Sequence, residues 1–102
     1  MASWLTRVLK QIQALAAQGR VRFTTKALFE LEELEPELAE EDVYDLLTRL
    51  RRGDFTGRLR SRSTGEWMYV FKPSVEETVV YVKLILRSQC ILISFHEDEP
   101  HG

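Results

Sequence analysis

The chain has 102 residues, of which 44% are hydrophobic and 29% charged, with a formal net charge of -2 and a pI near 5.7. This size and composition suit one globular domain with a modest core, so residues 1–102 are taken as a single domain. No apolar run approaches the length of a membrane span, and the amphipathic N-terminus is unlike a signal peptide. We therefore expect a cytoplasmic protein with no membrane partner.

Metal and disulfide chemistry have little support in the composition. Cys90 is the only cysteine, which excludes an internal disulfide, and the chain contains no CxxC. Only His96 and His101 could supply imidazole. We expect a reducing compartment, no metal site and no cofactor.

The small net charge conceals two blocks of opposite sign. Every ionisable side chain from Glu30 to Asp45 is acidic, whereas six arginines accompany one carboxylate, Asp54, between Arg49 and Arg62. An acidic total argues against nucleic-acid binding, but a local basic field can still attract a polyanion.

The N-terminal segment has helical periodicity. Apolar residues recur at helical spacing and predict a first helix from about Trp4 to Gln18, with Gly19 as its stop. The segment RVRFTT that follows reads as a short strand or an extended link.

Two further helices are predicted before residue 54. Thr24 or Thr25 can cap the segment KALFELEEL, which Pro36 ends. A third helix is expected over roughly residues 40–51, with Gly53 at its C-terminal cap.

The second half of the chain has the pattern of strands. Segments near 56–62, 66–72, 79–87 and 90–96 alternate or are β-branched, and STG, PSVEE and SQ separate them as turns. Helices followed by a β-meander predict an α+β fold in which N-terminal helices pack on a curved antiparallel sheet. The tail, 98–102, is expected to be disordered.

The last two strands fix which side chains share a face. A two-residue turn at Ser88–Gln89 would pair Tyr81 with His96 and Lys83 with Ser94, since side chains alternate across a sheet. The same register continues with Ile85 opposite Leu92 and Arg87 opposite Cys90. The other face is then wholly apolar and must be the core; its predicted pairs are Leu86–Ile91, Leu84–Ile93 and Val82–Phe95.

The preceding hairpin extends this pattern. If STG closes it, the arginines oppose Glu66, Met68 and Val70, and Leu59 joins the aromatic residues on the core side. One face would then collect the following polar side chains: Arg58, Arg60, Arg62, Glu66, Tyr81, Lys83, Ser94 and His96.

Such a face has the groups that metal-free RNA cleavage needs. Arginine and lysine suit phosphate oxygens, and histidine can move a proton near neutrality. The 2′-hydroxyl would attack the adjacent phosphorus while a base removes its proton and an acid protonates the leaving oxygen. The alternative is a sheet face that is polar only for solubility, which is the commoner situation. Tyr81 would then only pack across strands, and Cys90 is interpreted as structural.

Several motifs together resemble one family. GRVRFTTKAL after an amphipathic helix, DF at 54–55, W-x-x-V-F-x-P at 67–73, VYVK around Tyr81 and LISFHE at 92–97 resemble the MqsR-type toxins of bacterial type II toxin–antitoxin modules, relatives of the RelE-like ribonucleases. The resemblance covers about residues 8–97.

The resemblance implies an mRNA interferase that arrests growth by cutting mRNA. It implies a cognate MqsA-like antitoxin, zinc-binding in its own chain, and so a possible toxin–antitoxin hetero-oligomer. The family tyrosine and the lysine after it fall on Tyr81 and Lys83, and the family lysine of the last strand meets His96. The family lysine after DF meets Gly57, and the glutamine after the tryptophan meets Met68.

Three hypotheses follow. The first is a toxin endoribonuclease, whose site residues are listed here by role: Tyr81 and His96 for proton transfer or substrate orientation, Lys83 and Arg60 for the phosphate, and Arg58, Arg62 and Arg87 for RNA binding. The second is a catalytically inactive binding module that docks a basic protein through its acidic helices. The third is a toxin that cuts only ribosome-bound message.

Overall fold

The computed structural model describes residues 3–98, which form three helices and six strands. The helices are α1 (Trp4–Ala17), α2 (Thr25–Glu33) and α3 (Glu40–Thr48), with a 3₁₀ turn at Arg52–Asp54. The strands are β1 (Val21–Phe23), β2 (Phe55–Arg60), β3 (Trp67–Phe71), β4 (Ser74–Val75), β5 (Thr78–Leu86) and β6 (Cys90–Glu97). The predicted α+β class, with helices first, is confirmed.

The C-terminal tail falls mostly outside the described residues. Residues 99–102, predicted to be disordered, are among those not described. Asp98 is described, and its backbone N–H donates to Val79 O at 2.8 Å while its carboxylate lies 3.4 Å from Lys72 Nζ.

The helices begin and end largely where the caps predict. The Ser3 side chain accepts from Thr6 N at the start of α1, and Thr24 does the same for Ala27 N at the start of α2. α3 ends earlier than expected, with Arg49 at the C-cap. The predicted cap at Gly53 is wrong, because the Asp54 carboxylate accepts the Arg51 N–H at 2.9 Å and starts a separate 3₁₀ turn there.

The sheet is mixed rather than wholly antiparallel. Its strand order is β1-β6-β5-β3-β2, and β4 pairs with β5. β1 runs parallel to β6, pairing Val21–Phe23 with Cys90–Leu92, while all other pairs are antiparallel. α2 follows β1 directly, and its Glu30 carboxylate accepts the N–H of Phe95 farther along β6.

One side of the sheet packs on the helices and forms the core. We call it the helix-facing side, and we call the side that carries Tyr81, Lys83, Ser94 and His96 the open face. The core combines apolar residues of all three helices with those of the central strands, including Ile12, Val43, Leu47, Phe71, Val82, Leu84, Leu92 and Phe95, all with no exposed surface. Burial of this apolar set is the main stabilising contribution to the fold.

The register of the β5–β6 hairpin agrees with the prediction for half its length. Tyr81 pairs with His96, Val82 with Phe95 and Lys83 with Ser94, as predicted. A bulge between Lys83 and Leu84 then shifts the pairing by one residue, so the predicted pairs beyond it are wrong. The turn is one residue longer than assumed, since Arg87 N donates to Gln89 O, and the bulge absorbs the difference.

The bulge decides the environment of the residues near the turn. Cys90 pairs with Leu86 on the helix-facing side and is fully buried, whereas the prediction placed it opposite Arg87 on the polar face. Ile85 pairs with Ile91 instead of Leu92.

The register of the β2–β3 hairpin differs from the prediction along its whole length. Arg58 pairs with Tyr69, Leu59 with Met68 and Arg60 with Trp67. The hairpin closes through Ser61 N donating to Glu66 O, so its loop is four residues long rather than the three of STG. One extra loop residue moves the β2 side chains from Gly57 to Arg60 to the other face, and a bulge between Phe55 and Gly57 changes the register again at the start of the strand.

The consequence of this shift is large for the predicted site. Arg58 and Arg60 lie on the helix-facing side, and Leu59, predicted to be core, is 53% exposed on the open face. The prediction that one face collects the arginines together with Tyr81 and His96 is therefore wrong.

Candidate active site on the open face of the sheet

Tyr81 and His96 form the centre of the open face. Their ring centroids lie 5.0 Å apart with an interplanar angle of 11°, so the phenol and the imidazole stack across β5 and β6. Both side chains are partly exposed. The stack limits the rotamers of both rings and leaves their polar atoms accessible to a ligand.

The imidazole is oriented by the backbone beside it. His96 Nδ1 lies 2.8 Å from Glu97 O, and a carbonyl oxygen can only accept, so Nδ1 carries the proton. In the neutral ring, Nε2 is then the basic nitrogen.

Two ammonium groups border the ring pair. Lys83 lies opposite Ser94, one cross-strand pair away from Tyr81 and His96. Lys26, at the start of α2, donates from Nζ to Ser94 Oγ at 3.0 Å, which satisfies a side chain that is almost fully buried. α2 thus brings a second cation to the open face.

Glu30 holds Lys26 in this position. Its carboxylate accepts from Lys26 Nζ at 2.8 Å and from Phe95 N at 2.9 Å. Burial alone would raise the pKa of Glu30, but the two hydrogen bonds and the nearby charges of Lys26 and His96 together lower it below its usual value of 4.5. The carboxylate is therefore ionised at neutral pH and fixes the first turns of α2 to β6.

Sequence reasoning missed both Lys26 and Glu30. Strand parity assigns side chains within a sheet, and it cannot report on a helix that packs along the edge of β6. The only available signal was the i, i+4 spacing of Lys26 and Glu30 in KALFE, which is common on solvated helices.

The groove beside the ring pair is acidic. It has a volume of about 650 Å³ and is lined by Glu30, Glu33, Leu34, Tyr81, His96, Glu97 and Asp98. Glu97, the last residue of β6, and Asp98 follow His96 in the chain, whereas the Lys83–Ser94 pair precedes it. The ring pair is therefore bordered by lysines on one side and by the carboxylates of the groove on the other.

Arg87, predicted to bind RNA, is paired with a carboxylate. It donates from Nε and Nη2 to the two carboxylate oxygens of Glu66 at 2.9 and 2.7 Å. The hydrogen bond from Arg87 lowers the pKa of Glu66 to about 2. The local charge of Arg87 is accordingly balanced at neutral pH.

The other predicted arginines are separate from the ring pair. Arg58 and Arg60 stack with tryptophans on the helix-facing side, and Arg62 lies exposed in the β2–β3 loop. The structure thus brings together Tyr81, His96 and Lys83, and it does not bring Arg60 to them.

Besides His96, two other positions at which the chain departs from the family pattern can be placed. Met68 lies opposite Leu59, and Gly57 opposite Val70, which in turn pairs with Lys83. Both positions belong to the open face, where neither residue offers a hydrogen-bonding side chain.

Cys90 has no access to this site. Its side chain is fully buried, and burial raises the pKa of the thiol to about 12. Among residues 3–98 no group of three or more His, Cys, Asp or Glu side chains is placed to hold a metal ion. No helix in the same range has the length and apolar character to cross a membrane.

Fold and site together define a class of protein: a small α+β domain, helices first and sheet second, whose open sheet face presents a phenol, an imidazole and lysine side chains. A family model described as "Motility quorum-sensing regulator, toxin of MqsA" matches residues 6–97. The chain therefore belongs to the MqsR toxin family and is the toxin of a toxin–antitoxin module. The family description names MqsA as the antitoxin. A comparison with curated protein sequences gave no match.

Proposed function

We propose that the protein is an endoribonuclease that cleaves mRNA on the open face of its sheet. The observation that carries the proposal is the stacked Tyr81–His96 pair, oriented beside Lys83 and Lys26 in a chain of the MqsR toxin family. Together these groups supply a base, a hydroxyl donor and two cations within one surface.

His96 is the base of the proposed reaction. Nε2 takes the proton of the 2′-hydroxyl, because the backbone contact keeps Nδ1 protonated. The 2′-oxygen then attacks the adjacent phosphorus, and the bond from phosphorus to the 5′-oxygen breaks. The Tyr81 hydroxyl donates its proton to that leaving oxygen and is reprotonated from water. The products end in a 2′,3′-cyclic phosphate and a 5′-hydroxyl.

Lys83 stabilises the charge that develops on the phosphoryl oxygens, and Lys26, whose charge is partly balanced by Glu30, adds a hydrogen-bond donor there. Lys83 pairs with Ser94 across the strands, and Glu30 holds Lys26 in place beside Ser94 before substrate binds. A charge that needs no reorganisation during reaction stabilises a transition state more than a mobile one. Arg60 has no part in this step, because it lies on the helix-facing side.

The carboxylates on the other side of the rings determine how the RNA strand is oriented across the Tyr81–His96 pair. Glu97 and Glu33 repel phosphates, so the scissile phosphate is favoured on the Lys83 side of the stack and a ribose or base over the acidic groove. The proposed substrate is mRNA in the cytoplasm, and the proposed partner is an MqsA-like antitoxin that forms a hetero-oligomer with the toxin and neutralises it.

The test combines growth with RNA chemistry. Induction of the wild-type protein is expected to arrest growth, and the purified protein should yield RNA fragments with cyclic-phosphate ends without added metal. His96→Asn should lower the cleavage rate constant at least about 100-fold, since general base catalysis contributes that much. Tyr81→Phe should lower it as well, while the matched control Tyr44→Phe, on α3, should leave it unchanged.

Two outcomes would contradict the proposal. One is wild-type cleavage by a folded His96→Asn, Tyr81→Phe double variant. The other is fragments with 5′-phosphate ends, which the 2′-hydroxyl mechanism cannot produce. Purified protein that cuts only in the presence of ribosomes would instead support the ribosome-dependent form of the same activity.

A second candidate function rests on the outward surface of α2. Phe29 is 63% exposed and Leu28 is 37% exposed, with Glu32 and Glu33 following on the same helix. An apolar patch beside carboxylates suits a basic protein segment, as in the binding-module hypothesis. Neutralising the acidic helices would abolish capture of that partner, whereas changes on the open face would not.

A further inference from the structure

Four planar side chains alternate in a stack on the helix-facing side of the β2–β3 hairpin. The guanidinium carbon of Arg58 lies 4.0 Å from the ring centroid of Trp4 and 3.9 Å from that of Trp67. The guanidinium carbon of Arg60 lies 4.1 Å from the ring centroid of Trp67. We call this Trp4–Arg58–Trp67–Arg60 arrangement the Arg–Trp stack.

Aromatic side chains beneath the Arg–Trp stack fix the position of Trp4. Trp4 makes an edge contact with Phe55 at 5.5 Å and a tilted contact with Tyr69 at 6.2 Å, and Phe55 contacts the fully buried Phe71. These aromatic contacts restrict the rotamers of the indole beneath Arg58. The guanidinium groups are therefore held in place before any ligand arrives.

The arginines of this surface keep their charge uncompensated. Within residues 3–98 the ion pairs are Lys26–Glu30, Arg49–Asp45, Lys72–Asp98 and Arg87–Glu66, and none includes Arg58 or Arg60. Arg52, nearby, donates to the hydroxyls of Ser3 and Thr6 and also has no carboxylate partner. The surface is thus cationic in a chain whose net charge is -2.

A guanidinium stacked on an indole is suited to phosphate recognition. Its faces are covered, so its N–H groups remain at the perimeter, where they can form paired hydrogen bonds with phosphate oxygens. Arg60 already donates from Nη1 to Gly65 O at 2.8 Å, which orients its guanidinium and leaves its remaining donors for a ligand. The guanidinium of Arg60, at the exposed end of the stack, also offers a plane on which an unpaired base can stack. Cations alternating with aromatic planes are the arrangement found where proteins bind single strands.

We propose that the Arg–Trp stack is a second binding site for single-stranded RNA, distinct from the Tyr81–His96 site on the open face. It binds two successive phosphates of nucleotides that flank the cleaved bond. The choice of RNA among polyanions rests on the proposed endoribonuclease function. Because β2 is the edge strand of the sheet, a single strand can pass around that edge from the stack to the open face.

Both tryptophans of the chain belong to the stack, which provides a direct readout. The probe is a 16-nucleotide single-stranded RNA with 2′-O-methyl riboses, which cannot be cleaved through the 2′-oxygen. Titration should change the tryptophan emission saturably, with the same Kd that fluorescence anisotropy of a labelled copy gives. An anisotropy change without any change in tryptophan emission would overturn the proposal.

Substitutions locate the site. R58Q/R60Q should raise Kd at least tenfold and reduce the slope of log K against log salt by about 1.4, since each single-strand phosphate contact contributes about 0.7. The matched control R20Q/R49Q removes the same charge elsewhere and should leave the slope unchanged. If R58Q/R60Q fails to fold by circular dichroism, R60Q alone should reduce the slope by about half as much. Equal effects of the stack and control variants would refute the site.

Two further experiments distinguish this proposal from the proposed cleavage site and from a site for acidic protein. His96→Asn should lose cleavage and keep the Kd of the probe, so failure of the cleavage assay and failure of this site are distinguishable. A poly-glutamate peptide should not compete with the probe at equal charge concentration. Equal competition would mean that the stack binds acidic protein, and the assignment to nucleic acid would fall.

Discussion

Two side chains of β6, His96 and Cys90, differ in reactivity because they lie on opposite sides of the sheet. His96 points to the open face and keeps a ring nitrogen available, whereas Cys90 points into the core at the other end of the same strand. Both side chains are nucleophilic in principle. The alternation of the strand, with one bulge between them, decides that only the imidazole meets solvent.

Cys90 is therefore expected to be inert in the native protein. With its thiol pKa raised to about 12, the thiolate at pH 8 is about one molecule in ten thousand, and the thiolate is the reactive form. Reaction with an aromatic disulfide reagent at pH 8 should be at least about 100-fold slower in the native state than in 6 M guanidinium. Similar rates in the two states would show that the β5–β6 turn opens readily or that Cys90 is not buried.

Tyr81 and His96 could be placed from the sequence, whereas Arg58 and Arg60 could not. The pairing of Tyr81 with His96 was predicted from an assumed two-residue turn, with Val82 and Phe95 facing the core, and it is correct because the bulge compensates for the longer turn. Arg58 and Arg60 had no such constraint. Their guanidinium groups stack on the tryptophan rings at the rim of the helix-facing side, so this position was as acceptable for them as one on the open face.

At the scale of helices and strands, the sequence did not determine the lengths of the two hairpin loops. STG and SQ both mark turns correctly, but each loop has one more residue than assumed. In β5–β6 a bulge restores the parity before the functional residues, and in β2–β3 the bulge between Phe55 and Gly57 comes too late to change the side on which Arg58 and Arg60 lie. The predicted helices, strands and order were accessible from periodicity, and the placement of α2 along β6 was not.

The junction of α2 with β6 yields a pH-dependent prediction. The folded-state pKa of Glu30 is lowered, so its contribution to stability is present above about pH 4.5 and is lost as pH falls through the folded pKa. Glu30→Gln should lower the free energy of unfolding by about 1–2 kcal/mol at pH 7, the usual effect of losing charge-assisted hydrogen bonds. The difference from wild type should narrow below pH 4.5.

Urea denaturation at pH 7, 5 and 3.5 measures this effect. The control is Glu33→Gln, one turn along α2 on an exposed side chain, which should change the free energy of unfolding by no more than about 0.5 kcal/mol at any of these pH values. A deficit of Glu30→Gln that stays constant from pH 7 to 3.5 would show that the ionised carboxylate does not hold α2 to β6.

At the scale of the whole molecule, charge is separated by surface. The acidic block between Glu30 and Asp45 occupies α2, α3 and the loop between them, and the arginines from Arg49 to Arg62 lie on the adjoining turn and the β2–β3 hairpin. A uniform distribution of the same charges would give a weak repulsion for RNA everywhere. The separated distribution attracts RNA to the hairpin and repels it from the helices.

This separation predicts how the acidic helices affect RNA association. Neutralising Glu32, Glu33, Glu40 and Glu41 to glutamine should raise the association rate constant for the 2′-O-methyl probe several-fold at about 20 mM salt, because steering depends on the summed field. At about 0.5 M salt the screening length is only a few ångströms, and the advantage should vanish. The dissociation rate constant should change little, since Glu32, Glu40 and Glu41 lie outside both proposed RNA sites and only Glu33 borders the groove beside the ring pair.

Stopped-flow anisotropy at the two salt concentrations provides both rate constants. The control for a change in total charge is neutralisation of Glu76 and Glu77 in the β4–β5 turn, away from the acidic helices. Each of these substitutions should raise the association rate constant less than a substitution in the acidic helices does. A change confined to the dissociation rate constant would mean that the acidic helices touch RNA directly. An identical acceleration at both salt concentrations would mean that the substitutions act through the fold, and the separation of charge would then have no role in directing RNA to the hairpin.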